Sequence, residues 1–167
     1  MNKLEVYLPV FSRVSLRTVE ALRCVDRQLE QAVTEMLQCQ HWWYLRACCL
    51  SGATLQSRPT YNWTNIYFNL RLALSLANPL TSGTVMSVQV IEVLIELGYD
   101  PAGNDLLLLT NACLGNSQDR VKFLLEDERV RAALTLSHYH QVARLVQNES
   151  VELVRKQLGI SNLITCF

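Results

Sequence analysis

The side chains in this sequence best suited to chemistry are its six cysteines and three histidines. Cys39 and His41 stand close to the adjacent pair Cys48-Cys49, so thiols and an imidazole, which are ligands that zinc prefers, share one short segment. The spacing disfavours a metal, since the ligand pairs of structural zinc sites are separated by two or more residues. Adjacent cysteines on a helix also point about 100° apart. We therefore expect no bound metal and no cofactor.

Motifs of the common enzyme classes are incomplete in this chain. The run Gly-Asn-Ser-Gln-Asp at 115–119 approaches a nucleophile elbow but ends in Asp, and no glycine is followed by the lysine that a phosphate-binding loop requires. His138 and His140 are two residues apart, which places them on different sides of a helix and favours solvated or capping roles. We expect a protein that is not an enzyme. The alternative, a hydrolase using Cys39 or Cys113, predicts one thiol that reacts with iodoacetamide far faster than the other five.

The composition is that of a folded chain without an electrostatic preference. Half of the 167 residues are hydrophobic and 18% are charged, which is too apolar for disorder. The 15 basic and 15 acidic residues cancel, so neither nucleic acid nor an anionic membrane is an expected partner. No apolar stretch is long enough to cross a bilayer, and the first residues lack the apolar run of a signal peptide. We expect an intracellular, cytoplasmic protein, or a virion component if the chain is viral.

Charge is unevenly distributed along the chain. Residues 1–60 carry 7 basic and 5 acidic side chains, and residues 101–167 carry 7 of each. Residues 61–100 carry only 1 basic and 3 acidic side chains. Charged residues are rarely buried, and large apolar patches are rarely left exposed. The stretch 61–100 should therefore be the most buried part of the protein, or it should face a partner.

Apolar residues recur at helical spacing through most of the chain. From Ser15 to Met36 they lie three or four residues apart, which predicts one amphipathic helix or two with a bend. No window alternates in the manner of a strand, and the later helical pieces are separated by Gly, Pro and Asn. The sequence thus predicts an all-α fold, with further helices at 41–50, 65–77, 84–97, 105–114, 118–126, 131–146 and 149–158.

The short helices after residue 65 form pairs that resemble one another. Residues at equivalent places in the second helix of each pair are 30 residues apart: Leu94, Leu124 and Val154. Small residues in the first helix of each pair are 35 and 31 residues apart: Ala77, Ala112 and Ala143. A small residue lets the first helix approach its neighbour closely, and Gly or Asn then turns the chain. Such a period with two helices per unit is typical of an ankyrin-like solenoid.

The central copy, residues 103–130, resembles an ankyrin repeat. Its segment Val-Lys-Phe-Leu-Leu-Glu-Asp-Glu-Arg-Val at 121–130 is of the kind found in ankyrin proteins of giant DNA viruses and protists. Residues 72–101 and 131–158 follow the pattern less closely, the latter as a divergent or capping repeat, and the family's Thr-Pro-Leu-His is absent. The resemblance implies about three divergent repeats over 65–167. The alternative is an irregular helical bundle whose spacings arise by chance.

The N-terminal part of the chain resembles an F-box. Leu-Pro at 8–9 is followed by a helix-forming segment at 14–29 and then by Trp-Tyr-Leu at 43–45, in the order of that family's motifs. The segment that precedes residue 15 is shorter than the family's first helix. The resemblance implies that residues 1–50 bind a Skp-type linker of a ubiquitin ligase while the repeats bind a substrate. The alternative is a helical cap that seals the end of the solenoid.

Aromatic side chains crowd the segment from Trp42 to Phe68, across a connection at 51–64 that contains Gly, Ser and Pro. Such a cluster either forms a core or anchors a partner, since Trp and Tyr dominate interface hot spots. In ankyrin repeats the binding surface consists of inter-repeat turns and first-helix faces. The two resemblances and the aromatic cluster imply these partner-binding residues: Leu8, Pro9, Leu16, Trp42, Trp43, Asp100, Pro101, Gly103, Asn104, Asn111, Asn116, Ser117 and Arg131.

We therefore expect a non-catalytic protein–protein interaction module, and the resemblances imply a substrate adaptor for a ubiquitin ligase. Its expected organisation is an F-box-like segment at 1–50, a connection at 51–64 and repeats at 65–167. The alternative is a structural subunit clamped in a larger assembly such as a virion shell, with 61–100 as an obligate interface. An adaptor should be soluble and monomeric at micromolar concentration, whereas a shell component should aggregate or need its neighbours.

Overall fold

The structure, a computed structural model, describes residues 8, 10–25, 27–75 and 86–160. Within these ranges every regular element is a helix, which confirms the predicted all-α class. The chain forms two compact units, unit 1 from Met1 to Ala77 and unit 2 from Asn78 to Phe167. Each unit has its own set of buried apolar side chains.

The described helices of unit 1 have ends set by local chemistry. The Ser15 hydroxyl accepts a hydrogen bond from the amide of Thr18 at 3.1 Å, which caps the first helix. Gly52 ends the third helix with φ at 68°, in the left-handed region that strains residues with a Cβ. The apolar pattern after Ser15 thus forms two helices rather than one. The helices are α1 (Leu16–Leu22), α2 (Arg27–Gln38), α3 (Gln40–Ser51) and α4 (Trp63–Leu74).

The core of unit 1 lies where α3 packs against α4. Trp42, Ile66 and Leu70 are among the fully buried side chains there. The ring of Trp43 lies 5.3 Å from both the Tyr67 and the Phe68 ring, measured between centroids. The aromatic cluster predicted at 42–68 is therefore mainly core, and it fixes the position of α3 on α4.

The boundary between the two units differs from the predicted one. The sequence analysis placed a connection at 51–64 and assigned a helix at 65–77 to the first repeat. In the structure α4 buries Ile66, Leu70 and Ala73 and packs on α3, so this helix belongs to unit 1. The division therefore falls between Ala77 and Asn78 rather than before residue 65.

Unit 2 contains six described helices. The predicted helix 131–146 is two helices, because Leu134 and Thr135 are extended and the Thr135 side chain caps the second one. The remaining predicted helices are present with bounds shifted by a few residues. The helices are α5 (Val88–Glu96), α6 (Gly103–Leu114), α7 (Gln118–Glu126), α8 (Glu128–Ala133), α9 (Leu136–Leu145) and α10 (Glu149–Gln157).

Two helix pairs pack on each other in unit 2. α6 packs against α7 and against α9, and α10 packs against α7 and against α9. Leu94, Leu124 and Val154, which the sequence analysis placed at equivalent positions, are all buried. In the described parts of the low-charge stretch 61–100, 11 of 30 residues are buried, 10 are half-buried and 9 are exposed, so the cores of the two units account for only part of its apolar composition.

Three helices of unit 2 end with the same hydrogen-bond arrangement. A residue with positive φ follows each helix: Gly98 after α5, Asn116 after α6 and Gly159 after α10. The next amide then donates to a carbonyl five residues earlier, as from Tyr99 to Leu94 at 3.1 Å. This arrangement satisfies carbonyls that the helix leaves unpaired and turns the chain sharply at the predicted Gly and Asn positions.

Candidate functional site

The turn between α5 and α6, which we call the first turn, contains four of the predicted partner-binding residues. Asp100 is exposed, and its side chain accepts a hydrogen bond from the amide of Ala102 at 3.0 Å. The amide of Gly103 donates to the carbonyl of Asp100 at 3.2 Å. Asn104 is exposed at the start of α6, whereas Pro101 is buried and lines no surface. Pro101 is therefore corrected from a contact residue to a turn-forming one.

The backbone at the start of α6 is held in an unusual conformation. Asn104, Asp105 and Leu106 have φ of 52°, 57° and 57°, so three consecutive residues with a Cβ are left-handed. Each such residue costs roughly 1 kcal/mol or more, and neighbouring contacts must compensate. The Leu106 side chain is buried, and the Asp105 carboxylate contacts His138. The conformation directs Asn104 outward and anchors its two successors.

Asp105, His138 and Thr135 form a carboxylate, imidazole and hydroxyl chain. Asp105 Oδ1 lies 2.6 Å from His138 Nε2, and His138 Nδ1 lies 2.7 Å from Thr135 Oγ1. Because the Thr135 amide donates to Nδ1 at 3.2 Å, the network assigns the proton to Nε2, which donates to Asp105. The Thr135 hydroxyl also accepts from the His138 amide, which completes a capping box. These three hydrogen-bonded side chains therefore cap α9 and join it to the start of α6.

The turn between α6 and α7, which we call the second turn, carries Asn116 and Ser117. Asn116 is exposed with φ at 47°, and its Oδ1 accepts from the Ser150 hydroxyl at 3.3 Å. Ser117 is half-buried and precedes α7. Asn111 lies half-buried on α6, and its carbonyl accepts from the amide of Gly115. The structure thus places these predicted residues around one helix end, with Asn116 the most accessible.

Arg131 lies at a cleft of about 380 Å³ in unit 2, which we call the basic cleft. Its lining includes two further cations, Lys122 and Lys156, and one carboxylate, Glu126. The distance from Arg131 Nη2 to Glu128 Oε1 is 4.0 Å, an exposed pair of little energetic weight. The sequence analysis found Arg131 alone, because residues on α7 and α10 are brought together only by packing. The lining also includes Gln157 and two leucines, Leu125 and Leu153, which add apolar surface.

Several residues predicted for the N-terminal binding surface are in the core. Leu8, Trp42 and Trp43 are buried, so they are corrected from partner contacts to packing residues. The physical reason is the packing of α3 on α4, which covers both indole rings. Leu16 is half-buried at the start of α1, and Pro9 lies outside the described residues. Gly103, the remaining prediction, is half-buried as the first residue of α6.

Arg46 is the feature of unit 1 that the sequence analysis missed. It is only 7% exposed, and its Nη1 donates to the carbonyls of Phe11 at 3.2 Å and Val14 at 2.6 Å. Its Nη2 donates to the Tyr67 hydroxyl at 3.1 Å. A signal was present in the sequence, since Arg46 is a single charge within the apolar and aromatic α3. Buried arginine is uncommon unless it is paired.

The cysteines differ in their surroundings. Cys113 is buried, and this burial raises the pKa of its thiol from 9.0 to about 12, whereas Cys24 and Cys49 are exposed. A thiol that stays protonated at neutral pH is a poor nucleophile, so the geometry disfavours Cys113 as a catalytic residue. Among the described residues no three His, Cys, Asp or Glu side chains gather as a metal site would need. None of the described helices has the length and apolar character that a bilayer crossing requires.

Comparison with known proteins finds no match for this chain. No family model matches it, and no match is found among curated proteins or among solved structures.

Proposed function

We propose that this protein is a non-catalytic protein–protein interaction module that displays the first turn, the second turn and the basic cleft of unit 2. The observation that carries the proposal is the stacking of α6 and α7 on α9 and α10. Stacked helix pairs give a rigid scaffold, and short exposed turns at their ends provide side chains at fixed positions. Asp100, Asn104 and Asn116 occupy such positions.

Polar contacts between the stacked pairs support the ankyrin-like repeat that the resemblance implies. Four of them join residues with nearly equal separations along the chain: 31 for Gln118 with Glu149, 33 for Asp105 with His138, 34 for Asn116 with Ser150, and 35 for Cys113 with Asn148. A chance bundle would give no reason for this constancy. A repeated unit of about this length joins equivalent positions and accounts for it.

The basic cleft favours an acidic segment as the bound partner. The lining contains three cations, from Lys122, Arg131 and Lys156, against the single carboxylate noted above, and it includes apolar surface from two leucines. Positive side chains attract and orient an acidic partner, while burial of leucine surface supplies affinity. The proposed partner segment therefore combines carboxylates with at least one large apolar side chain.

The proposed biological role is an intracellular substrate adaptor, in which unit 1 binds a Skp-type linker as the F-box resemblance implies. A second candidate, a structural subunit of a larger assembly, is favoured by an apolar pair on α4. Phe68 and Leu72 are one helical turn apart and are 46% and 48% exposed. Exposed apolar pairs of this kind are common at protein interfaces.

The test is capture of partners from cell lysate by the tagged full chain, with the captured proteins identified and cross-linked residues mapped. Lys122→Glu and Lys156→Glu should each weaken capture about tenfold, because each reverses a charge in the basic cleft. Arg144→Glu is the matched control, since Arg144 is exposed on α9 and does not line this cleft. Equal loss for all three variants would contradict a specific site in the cleft.

The turns are tested by the double variant Asn104→Gly and Asn111→Ala. Glycine accepts the left-handed backbone of Asn104, and alanine suits the helical position of Asn111, so the helices should be retained. Reduced capture with unchanged circular dichroism supports the proposal. Early melting would make both residues structural. Recovery of a Skp-type linker with a cullin identifies an adaptor, and recovery of shell proteins alone favours the structural subunit.

A further inference from the structure

The charge of Arg46 has no anionic partner among the described residues. All three of its hydrogen bonds go to neutral acceptors, two carbonyls and the Tyr67 hydroxyl. Its guanidinium carbon lies 5.0 Å from the centre of the Trp42 ring and 5.1 Å from that of the Tyr67 ring. Aromatic faces attract a cation, yet they replace only part of the hydration that burial removes.

Two of the N–H groups of Arg46 have no hydrogen-bond partner among the described residues. A guanidinium has five N–H donors, and three of them are engaged. The Nε atom is buried without a hydrogen-bond partner in the described part of the chain. An unsatisfied donor on a charged group is costly, and such groups in folded proteins call for an explanation. Arginine binds a planar oxyanion through two neighbouring N–H groups in a bidentate arrangement.

A cleft of about 490 Å³ in unit 1, which we call the Arg46 cleft, lies beside this group. Its lining contains a second guanidinium from Arg13, together with Ser12, Cys49, Leu50 and Tyr67. No carboxylate is among these lining residues. The cleft therefore combines two cations and two hydroxyl groups with an apolar wall.

We propose that the Arg46 cleft binds a phosphate or carboxylate group carried on a small organic body. Arg46 supplies a fixed, largely desolvated charge, and Arg13 supplies a second one from the rim. The cleft is several times larger than a bare oxyanion, and Leu50 and the Tyr67 ring can cover an apolar portion of the ligand. This site is independent of the partner surface proposed for unit 2.

Arg46 also has a structural role, because it ties the backbone at Phe11 and Val14 to α3. That role uses Nη1 alone and needs neither Arg13 nor the unpaired Nε. A purely structural Arg46 therefore predicts no effect of Arg13 on anion binding. Replacement of Arg13 therefore distinguishes a purely structural Arg46 from an anion-binding one. The Arg13 side chain is exposed, so it can be replaced without disturbing a core.

The experiment uses alkylation of Cys49, which lines the cleft and is exposed, with exposed Cys24 outside the cleft as the internal control. The full chain is treated with iodoacetamide at constant ionic strength in the presence of inorganic phosphate, phenyl phosphate or benzoate. Alkylation at each cysteine is followed by mass spectrometry of peptides. We expect saturable protection of Cys49 and none of Cys24, with phenyl phosphate effective at lower concentration than inorganic phosphate. The phenyl phosphate and benzoate arms identify the preferred oxyanion.

Variants complete the test. Arg13→Glu should raise the half-protecting concentration of phenyl phosphate about tenfold or more, because it replaces one of the two cations with an anion. Arg17→Glu is the control of equal charge change, on the exposed surface of α1 outside the cleft lining. Absence of saturable protection, or equal effects of the two variants, would overturn the proposal. Arg46→Lys, checked for retained circular dichroism, should also raise the half-protecting concentration of phenyl phosphate, since lysine lacks the paired donors.

Discussion

Single residues in this protein owe their chemistry to their surroundings more than to their type. The cysteines show this most directly, since Cys49 and Cys113 differ in exposure although both lie in or beside helices. Burial of Cys113 raises its pKa to about 12, and exposure leaves Cys49 open to reagents. Reactivity therefore ranks the cysteines by position in the fold.

Cys113 should be among the slowest cysteines to react in the native protein. At pH 8 its thiol is protonated and inaccessible, so iodoacetamide should label Cys24 and Cys49 well before Cys113. Peptide mass spectrometry over a time course measures the three rates, and the same labelling in urea should make them similar. A Cys113 that reacts as fast as Cys49 in the native protein would contradict the assigned burial and revive the hydrolase alternative.

Asp127 should stabilise α8 in a pH-dependent manner. The side-chain hydrogen bonds from Arg129, foremost among the causes, hold the pKa of Asp127 below its usual 3.8. A carboxyl whose pKa is lowered on folding contributes stability above its unfolded pKa, and this is lost as the pH falls through the folded value. Asp127→Asn should therefore lower the urea midpoint at pH 7, and the difference should shrink as the pH falls below 3.8 and through the lowered pKa of the folded state.

Asp119→Asn is the control for this effect. Asp119 is an exposed carboxylate in the first turn of α7, and it has no ion pair in the described structure. Its substitution removes only the general benefit of a negative charge at a helix N-terminus. If both variants shift the midpoint equally at pH 7, the interaction with Arg129 contributes nothing of its own.

At the scale of helices, particular capping and turn residues determine where most of the described helices begin or end. α5, α6 and α10 all stop at a residue with positive φ, and α1, α4, α8, α9 and α10 all begin at a side chain that accepts an amide hydrogen bond. Helices this short have little stability of their own, so these caps and the packing of one face must hold them.

Substitutions of Asn116 test how much the residue with positive φ after α6 contributes to stability. Asn116→Ala should lower the free energy of unfolding by about 1–2 kcal/mol, because alanine in the left-handed region is strained and loses the hydrogen bond from Ser150. Asn116→Gly should cost less, since it loses only the hydrogen bond and gains conformational freedom in the region that the turn requires. Urea denaturation followed by circular dichroism gives both values. A glycine variant that is less stable than the alanine one would refute the backbone explanation.

The sequence was informative about elements and less so about sites. Apolar spacing predicted nearly every described helix, since burial of one helix face leaves a direct trace in the sequence. The break at Leu134 was missed because the apolar spacing continues across it, and only the Thr135 cap marks the new helix. The basic cleft was missed because Lys122, Arg131 and Lys156 are distant in sequence and become neighbours only after packing. Arg46 was missed although it is the single charge within α3, because the carbonyls that it binds, at Phe11 and Val14, are distant in sequence.

The whole molecule is a chain of two compact units, each with its own core. The aromatic cluster of unit 1 and the stacked pairs of unit 2 are separate solutions to the same requirement, namely burial of short amphipathic helices. The compact units divide after Ala77 and not at the predicted connection 51–64, since Gly, Ser and Pro mark any turn, including one inside a unit. The packing of α4 on α3 decides the boundary between the two units, and no local sequence pattern predicts this packing.

Unit 2 should fold when produced alone as Asn78–Phe167. Its buried residues include Ile91, Leu94 and Leu124, all contributed by its own helices. The fragment should show helical circular dichroism and a cooperative urea transition. Leu124→Ala within the fragment should reduce its stability by about 2–5 kcal/mol, as expected for a cavity in a packed core. A fragment without a cooperative transition, or one insensitive to this substitution, would show that the unit depends on the rest of the chain.

The equal spacing of the polar contacts between the helix pairs has a consequence for the order in which unit 2 folds. Closing a chain loop costs entropy that grows with the logarithm of its length. Between separations of 31 and 35 residues the difference is only about 0.1 kcal/mol. The entropy of loop closure therefore favours none of these contacts over the others. The first pair to dock is selected by how readily its own helices form, so a substitution that changes helix propensity alone should redirect the folding route.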